Sequence, residues 1–270
     1  MKKTFLAAAL LFLALNIPGR DLNAAGPGSM GGKKTNEERL ENFVFVQLKY
    51  SGGNWDPNPS AWDCFYPFLT GITNIHPEKM KRAVELNNMD VFEHPFLIIT
   101  GDSEFTPFSA PEQEKLKRFF DGGGICFIDD AGGTLRSGFD RSIRRELKKL
   151  FPVQEFAKIS PEHALFFAFH LTPAVAGTRV AAGYLEGIEY NNQTTVIYSH
   201  NDLLGALVTD RFGTPVKKCA PGGEVQRGEA RKLMVNILMY GLTGTYKLDA
   251  IHREQIINRL KIKKAPDVKE

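Results

Sequence analysis

Two uninterrupted apolar runs constrain this chain more than any other feature: FLIIT from Phe96 and ICFID from Ile125. Runs of this length without polar alternation suit strands buried on both faces, as in a parallel sheet covered by helices. The segment between them carries the marks of one helix. Ser109 and Glu112 form a capping box, Pro111 sits in the first turn, and Leu116, Phe119 and Phe120 repeat at helical spacing. Gly122 is expected to supply the left-handed residue that ends the helix. A strand, a helix and a strand of these lengths predict a right-handed βαβ crossover.

The flanking sequence extends that pattern. FVFVQLKY from Phe43 reads as a strand, SGGNWDPNP as the loop after it, and SAWDCFYPFLTGI as a helical segment bent or broken at Pro67. Residues 81–86 read as a short strand and NNMDVFEHP as a turn or brief helix. Phe139, Ile143, Leu147, Leu150 and Phe151 mark a second amphipathic helix, stopped by Pro152. In AAGYLEGIEYNNQTTVIYS, Asn191 and Asn192 suit a hairpin turn with positive φ angles. Ala230, Leu233, Met234, Ile237 and Leu238 outline a last core helix. The expectation is one α/β domain over residues 43–246, with a mostly parallel central sheet.

The ends read differently. MKKTFLAAALLFLALNIPGRDLNAAG has the basic, apolar and small-residue order of a secretory signal peptide, placed at residues 1–25. Its apolar run falls short of the ~20 residues that a membrane span needs, and no later segment reaches that length. Residues 26–42 read as a flexible linker and residues 247–270 as a basic helix and tail. Export to the periplasm or the extracellular space follows as an expectation, with no membrane span left after signal removal. The net charge of +3 sits largely at the termini and is too weak to argue for nucleic acid. Three cysteines make no disulfide framework, and neither a C-x-x-C pair nor a zinc spacing is present.

Ligands of open parallel sheets bind beyond the carboxyl ends of the strands. YSGGNW, TGDSEF, DDAGG and SHNDLL each leave a predicted strand, so they would gather at one edge. Tyr50, Gly52, Gly53, Trp55, Asp102, Asp129, Asp130, His200 and Asp202 are the ligand-binding candidates there. Two readings of the acids stand side by side. In the first, Asp129 and Asp130 cap the turn and pair with Arg136, Arg141 or Arg144. In the second, Asp102, Asp129, Asp130, His200 and Asp202 offer oxygen and imidazole ligands to a cation. Gly52 and Gly53 read as a tight loop, since neither dinucleotide nor P-loop spacing is present. No G-x-S-x-G elbow is present, and Ser103 lacks the flanking glycines of one. No cofactor is indicated.

YSGGNWDPNPS, FLIITGDSEFTPFSAPEQEKLKRFFDGGGICFIDDAGG, FDRSIRRELKKLFP and VIYSHNDLLG, in that order, resemble the bacterial domain-of-unknown-function 4159 family. The resemblance spans residues 43–243. It implies a three-layer flavodoxin-like fold, similar to class I glutamine amidotransferases, and no established activity. Amidotransferases carry a nucleophilic cysteine at a strand-to-helix elbow, whereas Cys126 here lies within its predicted strand. The expected function is a non-catalytic module of the cell envelope that binds a small ligand or a partner protein. The alternative is a hydrolase, metal-dependent or not, that uses the acids at the carboxyl edge.

Overall fold

The computed structural model describes residues 43–87 and 94–243. The expected C-terminal basic helix, most of NNMDVFEHP, the signal peptide and the linker lie outside the described residues. The strands are β1 (Val46–Leu48), β2 (Arg82–Val84), β3 (Phe96–Gly101), β4 (Ile125–Asp130), β5 (Ala157–Lys158), β6 (Glu186–Tyr190) and β7 (Gln193–Ser199). They form one seven-stranded sheet in the order β2-β1-β3-β4-β7-β6-β5. The pairs from β2 through β7 are parallel, and β6 and β5 are added antiparallel. The chain is therefore α/β with a mostly parallel, mixed sheet.

The helices are α1 (Ala61–Ile72), α2 (Ala110–Asp121), α3 (Gly138–Leu150) and α4 (Gly223–Thr243). The strand pleat sorts the core between them. Ile98, Phe127 and Ile197 pack with Trp62, Phe65 and Leu69 of α1 and with Leu233, Met234 and Ile237 of α4. Leu97, Ile99, Cys126, Ile128 and Tyr198 pack on the other face with Leu116 and Phe119 of α2 and Phe139 and Ile143 of α3. Both faces are apolar because both are covered, which is why β3 and β4 read as continuous hydrophobic runs.

Local signals explain most boundaries. The capping box of Ser109 and Glu112 is formed at the start of α2. Ser137 caps α3, accepting the Asp140 N–H at 2.9 Å. Asn191 and Asn192 take φ of 52° and 62° in the turn joining β6 to β7. Four details differ from the sequence reading. Gly122 ends α2 with an ordinary right-handed φ of −77°, and the left-handed residue is Gly123 at 88°. Pro67 lies within α1 and does not break it. β1 is confined to Val46–Leu48, although its apolar flank, Val44 and Phe45, is also buried. Finally, β4 runs on through both acids, so Asp129 and Asp130 end the strand instead of opening the loop.

Candidate functional site

Asp129 and Asp130 are adjacent in sequence, but consecutive strand residues point to opposite faces of a sheet. Asp129 is in register with Thr100 and Ser199, continuing the row of Ile98, Phe127 and Ile197. Asp130 is in register with Gly101, continuing the row of Ile99 and Ile128. The doublet is therefore two separate carboxylates, each completely buried, on opposite sides of one sheet.

On the α1–α4 face, Asp129 accepts the backbone N–H groups of Leu203 and Leu204, both at 2.8 Å. Its neighbour is Asp202, which holds the left-handed φ of 53° after β7. Asp202 accepts from Asn58 at 2.8 Å, Thr178 at 2.7 Å, Lys217 at 2.9 Å and the Gly205 N–H at 3.2 Å. Lys217 also donates to the Asn58 side chain at 2.9 Å. Burial and the Asp202 charge push Asp129 up to about 7, against the pull of its two amide donors.

On the α2–α3 face, Asp130 accepts the Gly132 N–H at 2.9 Å and the Ser137 hydroxyl. Ser137 thereby links the strand end to the helix it caps. Burial raises the Asp130 carboxyl, and Ser137, Gly132 and the nearby His200 oppose the rise. His200 lies 2.9 Å from Glu186 through Nε2, and its ring stands 4.3 Å from that of Tyr198. Among the described residues, the buried His200 Nδ1 has no hydrogen-bond partner. Glu186 also receives Arg144, which donates to Asp140 at 2.8 Å, and Tyr198 donates to Asp140 at 3.1 Å. Burial alone would raise Glu186, but the His200 bond and the Arg144 charge outweigh it and hold the carboxyl low. Arg144 continues outward to a cavity of about 360 Å³, floored by Leu147, Phe156 and Ile188.

The remaining candidates form a third group at the ends of β1 and β3. The Tyr50 hydroxyl reaches the Thr100 carbonyl at 2.9 Å and the Asn54 carbonyl at 3.0 Å. Burial, with the charges of Asp102 and Asp130, keeps that phenol neutral. Asp102 accepts from the Asn54 side chain at 2.8 Å. Gly52 and Gly53 lie flat on residues 104–106, where a Cβ would stand 1.9 Å from the Thr106 hydroxyl and 2.9 Å from the Glu104 carbonyl. Trp55 is half-buried, and its carbonyl accepts from Gln47 at 2.8 Å.

The candidates thus share one sheet edge but divide into groups by strand face and loop. The arginine pairing considered for Asp129 and Asp130 is replaced by backbone amides and a serine, because both acids are buried beneath their own loops. Among the described residues, no group of three or more His, Cys, Asp and Glu side chains is arranged to hold a metal ion. Cys126 is wholly buried within β4, and burial pushes its thiol far up. The three cysteines are free thiols. Sequence reasoning missed Glu186, Asn58, Thr178, Ser137 and Lys217. Local signals were present only for Ser137, an N-cap three residues before Asp140, and for the Asp140 and Arg144 pair, four apart on a helix.

These features define an α/β domain whose strand-end acids are internally bonded. The chain belongs to the family described as Domain of unknown function (DUF4159), whose model matches residues 44–242. Comparison with the curated proteins returned no match.

Proposed function

We propose that this protein is an exported, non-catalytic binding module of the cell envelope, which presents the carboxyl edge of its sheet to a ligand or partner. One observation carries the reading: Asp129, Asp130 and Asp202 all spend their carboxylate oxygens on protein donors. Acids bonded in this way act as struts that fix the loops around residues 58, 132, 178, 203 and 217. Recognition then falls to the outer side chains of the same loops. The strand order β2-β1-β3-β4-β7 supports a flavodoxin-like, class I glutamine amidotransferase-like fold, in which this edge is the ligand side. The signal-peptide pattern of residues 1–25 supports export to the periplasm or beyond.

The test is a hydrolysis panel of ester, amide and phosphoester substrates, each with and without Mg²⁺, Mn²⁺ and Zn²⁺. The expected outcome is no turnover that depends on the strand-end residues. A metal-dependent hydrolysis lost in Asp130→Asn or His200→Ala, with the fold retained by circular dichroism, would overturn the reading in favour of a hydrolase.

A further inference from the structure

Segments at the carboxyl edge around β4 and β7 repeat one pairing: an exposed apolar side chain beside a cation that has no acidic partner among the described residues. After β4, Leu135 is 50% exposed and adjoins Arg136. In the segment before β6, Val180 is 43% exposed and adjoins Arg179. In the turn after β7, Phe212 is 76% exposed and adjoins Arg211, whose guanidinium lies over its ring at 4.7 Å. Farther along, Val216 is 60% exposed, two residues before Lys218. None of Arg136, Arg179, Arg211 and Lys218 has an ion pair among the described residues.

These loops meet through named contacts. A Cβ on Gly133 would stand 3.2 Å from the Arg179 side chain, and the Arg179 N–H donates to the Asn201 carbonyl at 3.3 Å. Thr178 and Lys217 converge on Asp202, and the Ala220 N–H donates to the Thr178 carbonyl at 2.9 Å. Two acids of this edge, Asp102 and Asp210, also have no ion pair among the described residues. Asp210 accepts the N–H groups of Phe212 and Thr214 at 2.8 and 2.9 Å, and Glu224 pairs with Arg227. Against these two exposed acids, the four unpaired cations Arg136, Arg179, Arg211 and Lys218 leave the outer loops with surplus positive charge, interleaved with apolar tips.

We infer that this edge docks on an anionic lipid bilayer surface, its apolar tips entering the headgroup layer while the adjacent cations meet lipid phosphates. Apolar insertion combined with cationic attraction is the physical basis of peripheral binding to membranes. A polar soluble ligand would use the cations but leave Phe212 and Val216 without a partner, which favours the bilayer. The inference rests on the carboxyl edge being the binding face, as proposed above. No helix among the described residues is long and apolar enough to cross a membrane.

The test is sedimentation of the full chain with vesicles of phosphatidylcholine alone, and with about a third phosphatidylglycerol added. The N-terminal apolar run is present in every arm, so differences between variants report the edge. Wild type is expected to favour anionic vesicles, and salt is expected to weaken that preference. Each lost cation should weaken binding about 5-fold, so Arg179→Gln with Arg211→Gln should weaken it roughly 25-fold. Phe212→Ser should weaken it about tenfold. All these residues are exposed, so the melting temperature should stay unchanged.

Equal binding of wild type and variants to anionic vesicles, or no anionic preference, would overturn the inference. If the arginine substitutions instead abolish binding of polyglutamate in solution and leave vesicle binding intact, the bilayer is the wrong occupant and the edge remains a binding face. Hydrolysis in the panel above would strike at the reading of the edge itself.

Discussion

At the scale of single residues, Asp129 lies wholly buried at the end of β4. Both its oxygens accept backbone N–H groups, which an asparagine cannot reproduce because its amide nitrogen would face a donor. Asp129→Asn should therefore cost about 1–3 kcal/mol in urea unfolding, the scale for an unsatisfied buried donor. The same residue sets a pH dependence. Its folded pKa, pushed up to about 7, lies above an unfolded value of ~3.9, so the native state binds the proton more tightly. Its contribution is full below the unfolded value and is lost as pH rises from about 4 to about 7. Asp130, also raised, acts in the same sense. Glu186, held low, acts in the opposite sense, losing stability as pH falls through its folded value. The fall in unfolding free energy from pH 4 to pH 7 should be shallower in Asp129→Asn. An unchanged slope would assign that dependence to other groups.

At the scale of elements, the junction of β4 with α3 turns on Ser137. Its oxygen accepts the Asp140 N–H as a helix cap, and its hydroxyl donates to Asp130. Ser137→Ala removes both bonds. The loss should be about 1–2 kcal/mol, near the upper end for an N-cap because a buried carboxylate loses a donor as well. Ser137→Thr keeps the hydroxyl and should recover most of the loss in thermal unfolding. Gly101 explains why β3 can end so near this junction. A Cβ there would stand 2.1 Å from the Tyr50 hydroxyl and 2.5 Å from the Phe139 ring, so the absent side chain lets α3 and Tyr50 close over the strand.

At the scale of the whole molecule, the buried Arg227 of α4 ties distant segments together. It donates to the Ala206 carbonyl, to the Lys217 carbonyl at 2.6 Å and to Glu224 at 3.1 Å. Lys217 in turn reaches Asp202 and Asn58, so one chain of bonds joins α4 to the loops before α1 and after β7. Arg227→Met should fill much of the space but leave two carbonyls without a donor. We expect a loss of about 1.5–3 kcal/mol, the scale for hydrogen bonds to a charged group. Limited proteolysis should show earlier cleavage near residues 209–218 than in wild type. Unaltered stability would mean that packing alone holds those loops.

The sequence by itself determined the sheet core and its punctuation. FLIIT and ICFID had to be covered on both faces, and Ser109, Glu112, Asn191 and Asn192 marked a helix start and a hairpin through local chemistry. It also placed the polar candidates at one sheet edge, because the end of a parallel strand is visible where an apolar run stops. The tertiary structure decided how those candidates are grouped. The pleat sent Asp129 and Asp130 to opposite faces, and the loops folded over them supplied amides where arginines were expected. Glu186 reached His200 across a hairpin, and Lys217 and Asn58 reached Asp202 from far along the chain. Such partners leave no local trace, since long-range hydrogen bonds depend on which strands become neighbours, and strand order is set by packing the whole core.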